Sequence, residues 1–159
     1  MSWLWRDPGR PLTPGERALA AGMFGTALDP HPVRIHRAKW FPFQPRNVAM
    51  APDGHLWFHP EGGVWSDDFS KESLGRQGFF IHEMTHVWQA QKGGRFYLPL
   101  MRHPFCRYRY ALVPGRPFRR YGLEQQAEIV AHVFLAEHGA RLRCETPPRS
   151  LLPFCAAAN

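Results

Sequence analysis

The residues best suited to chemistry sit mid-chain, where His82-Glu83-Met84-Thr85-His86 forms an H-E-x-x-H pentapeptide. On a helix, residues four apart stand on one face about one turn apart. The imidazoles of His82 and His86 would then lie side by side and could hold one Zn²⁺ as neutral donors. Glu83 is offset around the helix, close enough to reach a metal-bound water without being a ligand, which is where a general base must stand. The pentapeptide is short, and two partly buried histidines satisfied by ordinary neighbours are the plain alternative. Its context favours the metal. Phe80, Ile81, Met84, Val87 and Trp88 recur at helical spacing and predict an amphipathic helix over residues 79–91, ended by Gly93-Gly94.

A zinc site of this kind needs a third protein ligand from elsewhere and an open fourth position for water. Glu124 and Glu128 are four apart at the start of a second predicted helix, and His132 extends the row. Glu124 is the favoured ligand. Glu128 would then accept the outer N–H of a ligating histidine, fixing its ring and raising its basicity. The reverse assignment of the two carboxylates stays open, with His132 as a third option. Without a metal, the pair would be an ordinary exposed helix face. The variant with a third histidine close behind, H-E-x-x-H-x-x-G-x-x-H, is excluded, because Gln89 stands at its glycine and Lys92 at its last histidine. Tyr121 is a candidate catalytic phenol, able to steady an oxyanion or donate a proton. Core packing is its alternative role, and Tyr108 and Tyr110 are weaker candidates for the same task.

These residues need a scaffold, and the chain supplies one of mixed type. Thr13-Pro14-Gly15-Glu16 has the form of a capping box opening a first helix that Gly25 ends. Residues 33–39 alternate apolar with basic or polar side chains, as a half-buried strand does. Residues 47–51 and 55–58 flank Pro52-Asp53-Gly54, a hairpin-type turn. A small antiparallel sheet ahead of the metal helix is the expected assembly. Residues 61–71 read as a polar loop, after which Ser70 or Ser73 caps the metal helix. The last helix spans about 123–138 and stops at Gly139. The expected division is an N-terminal arm (1–12, with Trp3 and Trp5), an α+β domain (13–144) and a proline-containing tail (145–159).

Bulk composition narrows the classes. Hydrophobic residues make up 44% of the chain, enough for one domain with a real core. The net charge of +7 favours acidic partners. Arginines and aromatics interleave over residues 95–120, a pattern that can bind single-stranded nucleic acid. A loop with packed aromatics and wet arginines explains it more simply, so nucleic acid is not the expected partner. The three cysteines, Cys106, Cys144 and Cys155, form no C-x-x-C pair and argue against a disulfide framework or a cysteine zinc site, leaving open a bridge between Cys144 and Cys155. The N-terminus lacks an apolar leader core and no apolar run reaches membrane-spanning length. A soluble protein made in the cytoplasm is expected, exported, if at all, by a route without a cleaved leader.

HEMTHVWQ followed by EQQAE resembles the glutamate-type zincin (gluzincin-like) metallopeptidases, whose third ligand is the first carboxylate of an E-x-x-x-D/E pair. More narrowly, the chain resembles small proteins associated with Rhs and Vgr elements of bacterial secretion systems. It is also similar to the metallopeptidase-like core domain of extracellular contractile injection systems. The likeness covers most of the chain, including residues 12–16, 33–36, 79–91, 108–110 and 121–130. It implies a compact α+β zincin fold, a zinc ion, and a place beside a secreted effector or secretion-system protein. It carries ligation to His82, His86 and Glu124, and base catalysis to Glu83. Glu128 stands where many zincins have Asp. The expected function is a zinc peptidase acting on a protein or peptide substrate. The alternative is a non-catalytic, zinc-stabilised module of a secretion assembly, whose fourth coordination position would be filled by a side chain.

Overall fold

The structure, a computed structural model, describes residues 7–94 and 108–154. Trp3, Trp5, residues 95–107 of the arginine- and aromatic-rich segment, and Cys155 with its proposed link to Cys144 lie outside the described residues. Within them the chain runs β1 (Arg10–Pro11), α1 (Pro14–Phe24), β2 (Arg34–His36), β3 (Ala49–Met50), β4 (Leu56–Phe58), α2 (Leu74–Gly93) and α3 (Leu123–Glu137). This is a small α+β fold. No helix among the described residues is long and apolar enough to cross a membrane.

The four strands are ordered β1-β2-β4-β3. The β3–β4 hairpin forms around Pro52-Asp53-Gly54, pairing Ala49 with Phe58. The sheet is mixed rather than wholly antiparallel, because β2 and β4 run parallel, with Ile35 opposite Leu56. The 19 residues between them (37–55), β3 included, are long enough for the crossover that parallel pairing requires. β1 comes from the expected arm and adds an antiparallel edge, Arg10 opposite Ile35.

α1 begins as its sequence dictates. The Thr13 hydroxyl accepts the Glu16 N–H, and a Glu16 carboxylate oxygen accepts the Thr13 N–H. Glu16 does more than cap. It is fully buried, receives both Arg10 guanidinium nitrogens at 2.8 Å, and accepts the Phe69 N–H at 2.9 Å. One carboxylate thus ties β1, α1 and the turn leading into α2.

α2 is capped by the Ser73 hydroxyl and closed at Gly94, whose φ is 89°. It departs from the amphipathic expectation, since every residue from Phe80 to Ala90 is buried. The helix lies between α3 on one side and β4 and α1 on the other, so no face is left for solvent. A run of stacked rings, Phe58 on Phe69 at 5.5 Å and Phe69 on Phe80 at 5.4 Å, seats it on the sheet. At its far end Trp88 packs on Phe154. Where α2 meets α3, a β-carbon added to Gly78 would sit 2.8 Å from the Leu135 side chain. The helices can approach this closely only because residue 78 has no side chain.

Candidate metal centre

α2 presents His82 and His86 to the first turn of α3. That turn is set by Gln125, which accepts the Gly122 N–H at 3.0 Å and donates to the Arg109 carbonyl at 2.8 Å. Glu124 is thereby delivered to the imidazoles. One of its oxygens, Oε2, lies 3.1 Å from His86 Nε2 and 3.3 Å from His82 Nε2. Donor atoms of His82, His86 and Glu124 all fall within 4.8 Å of one another, and all three residues are buried.

The outer ring nitrogens are engaged elsewhere. His82 Nδ1 is 2.8 Å from Glu128 Oε1, and His86 Nδ1 is 2.8 Å from Gln89 Oε1. Both partners accept, so both Nδ1 atoms carry a proton, and each ring, when neutral, turns its Nε2 lone pair inward. Two lone pairs and a carboxylate oxygen therefore converge on one point. That set calls for a cation between its members, a proton or a metal ion, and suits one divalent ion with nitrogen and oxygen preference. The residues present fit zinc.

Burial alone would lower the His82 pKa. Hydrogen bonds to Glu124 and Glu128, with the charge of Glu83 beside them, outweigh it and push the pKa up to about 10 when the ring has only carboxylates for company. Glu128 is held below the usual carboxylate range, first by its bond to His82.

A cavity of about 340 Å³ opens over the cluster, lined by Glu83, His82, His86, Glu124 and Glu128 together with Asn47, Val48 and Ala49. Glu83 is buried beside the imidazoles without belonging to the donor set. His132 stands apart from that set: its Nε2 is 3.6 Å from Glu128 Oε2, and its Nδ1 shares a hydrogen bond with the Tyr110 hydroxyl. Cys144 Sγ approaches the same Nδ1 at 3.7 Å.

Tyr121 is not brought to the cavity. Its ring is buried and its hydroxyl accepts the Val113 N–H at 3.1 Å. Tyr108 stands there instead, half exposed on the cavity wall, its ring nearly parallel to that of His82 at 6.3 Å. Tyr121 immediately precedes the α3 cap and is buried with Phe118, whereas the Gln125 bond to the Arg109 carbonyl pins the backbone next to Tyr108, which lines the cavity. Gln89 and Gln126 went unread as site residues. Their only trace in the sequence was a glutamine at the position that excluded the three-histidine motif.

Fold and donor set together define an α+β domain with a buried His-His-Glu cluster under an open cavity. No protein-family model matches the chain. Over 139 residues, 83% of the chain, it is 42% identical to the type VI secretion system spike protein VgrG2b of Pseudomonas aeruginosa, and that stretch spans 13% of the spike protein's length. The solved effector domain of Pseudomonas aeruginosa VgrG2b superposes with a TM-score of 0.73 at 40% identity, covering 85% of this chain and 78% of that one. This chain belongs to the family of the VgrG2b effector domain.

Proposed function

We propose that the chain is a zinc-dependent peptidase that works as, or beside, an effector carried by a secretion system. His82, His86 and Glu124 hold the ion. Bound there, zinc supplies Lewis acidity and a water whose pKa falls toward about 7. The observation that carries this reading is the single Glu124 oxygen facing both inward imidazole nitrogens, with Glu83 lining the same cavity. Glu83 accepts a proton from the attacking water and returns it to the leaving amine. Glu128 holds the His82 ring by its outer nitrogen. Tyr108, rather than Tyr121, offers a phenol at the opening. β3 is the outer strand of the sheet and leads from the cavity wall, so an extended peptide can pair along it while its scissile bond lies over the cluster. The family tie, through relatives named as a secretion spike protein and its effector domain, supports export by such an apparatus and partners within it.

The test is Glu83→Gln, assayed against a degenerate peptide library read by mass spectrometry, with metal content measured in parallel. Zinc should be retained and cleavage should fall by about 10²–10⁴-fold, the usual contribution of a positioned base. Equal cleavage by parent and variant removes Glu83 from its role. Zinc retention with no cleavage by the parent favours the non-catalytic module.

A further inference from the structure

The two histidines of the cluster are held from behind by different chemistry. His82 leans on a carboxylate, and His86 on an amide. The amide's orientation can be deduced from its partners. The Tyr121 carbonyl can only accept, so Gln126 must turn its NH₂ toward it, at 2.8 Å. Gln126 Oε1 is left facing Gln89 Nε2 at 3.0 Å, and that nitrogen also donates to the Leu123 carbonyl at 3.1 Å. Gln89 Oε1 is thereby aimed at His86 Nδ1. Reversing either amide would set a side-chain oxygen against a backbone oxygen, so the partners decide the orientation. Both glutamines are buried, and water cannot substitute for a lost partner without rearrangement.

We infer that Gln89, braced by Gln126, is a positioning residue that locks His86 as its Nδ1–H tautomer and keeps the Nε2 lone pair on the donor set. The inference deepens the proposed function and rests on its metal site, but not on peptide cleavage. A neutral brace has a consequence that a second carboxylate would not. It fixes the ring without adding another negative charge to a cluster that already contains Glu83, Glu124 and Glu128. It also joins the metal helix to α3 through atoms that solvent does not reach, so the tautomer and the helix pairing are set by the same bonds.

The test uses the full chain and two readouts. Nitrogen-15 spectra of histidine in the metal-free protein, recorded where the ring is neutral, should show His86 protonated at Nδ1 in the parent. Gln89→Glu keeps an acceptor for the Nδ1–H and should keep that tautomer, but its second oxygen faces the Leu123 carbonyl and Gln126 Oε1, so the metal-free variant should melt at a lower temperature. Gln89→Met, close in volume, should move the proton to Nε2 or leave the nitrogens exchanging. Zinc affinity, read by competition with a chromogenic chelator, should fall about 10–100-fold in Gln89→Met, the usual cost of losing such a partner. Gln126→Met should shift both readouts in the same direction by less, since the Leu123 carbonyl still holds Gln89. Melting of the metal-free variants reads the fold separately. A retained Nδ1–H in Gln89→Met, or unchanged zinc affinity in both methionine variants, overturns the inference. A parent chain that binds no zinc defeats the metal site instead, and the tautomer spectra still decide the part played by Gln89.

Discussion

Glu16 and Glu124 are both carboxylates taken out of water, at 0% and 2% exposure, and each stands near the start of a helix. Their surroundings differ in kind. Glu16 is met by donors: a forked guanidinium and two backbone N–H groups, each directed at one of its oxygens. Its charge is neutralised by Arg10, and the group is complete as it stands. Glu124 is met by two imidazole nitrogens that bear lone pairs when the rings are neutral, the ring protons then lying on the far side against Glu128 and Gln89. A buried acid encircled by hydrogens is architecture. A buried acid set against two imidazole nitrogens needs a cation between them, a proton or a metal ion. The distinction cannot be made from burial, and it can be made from which atom of each neighbour carries the proton.

This contrast can be broken in several ways. The largest effect on stability should come from Glu16→Ala, which strands Arg10 and the Phe69 N–H. A loss of about 3–5 kcal/mol is expected in denaturant unfolding, as for other broken buried ion pairs, while the molecules that remain folded should bind zinc as before. If that variant lost metal affinity and kept stability, the roles of the two acids would be exchanged. Glu124→Gln should do the reverse. An amide there can still donate to an inward imidazole nitrogen, so the metal-free fold should lose less than Glu16→Ala does. Zinc affinity should drop by more than the roughly 100-fold that an outer partner costs.

A smaller effect sharpens the comparison by pH. In the metal-free protein His82 titrates near pH 10, against about 6.5 in an unfolded chain. The folded state therefore holds the extra proton more tightly. The stability it contributes is fully present below pH 6.5 and is lost as pH climbs toward 10. Melting temperature in a chelator should decline across that window, and saturating zinc, which takes the proton's place, should remove the decline. A flat profile in chelator would show that the carboxylates do not govern His82.

How much of this was legible in the sequence depended on whether partners shared an element. The spacing of His82 and His86, and of Glu124 and Glu128, lies within single helices, and helical geometry alone put each pair on one face. The Thr13–Glu16 box was legible for the same reason. That Arg10 and Phe69 would close around Glu16 was not, because those contacts join segments 6 and 53 residues away. The parallel match of β2 and β4 escaped because strands of three residues carry too little pattern to declare direction. The choice between Tyr108 and Tyr121 turned on a side-chain bond to the Arg109 carbonyl, which no periodicity announces. Gln89 was visible only as the residue that ruled out a different motif, although its placement behind His86 follows from a three-residue separation on the helix.

The empty space at Gly78 has a reach beyond its own neighbourhood. It lies one turn before His82, and Leu135 fills the hollow it leaves while also bordering the cavity. The gap between the two donor-bearing helices is thus shimmed by a hydrogen atom. Preference among divalent ions depends on donor separations that differ by tenths of an ångström. If His82, His86 and Glu124 hold an ion as proposed, a methyl group at position 78, by forcing Leu135 aside, would alter the spacing of the two helices that carry the donors.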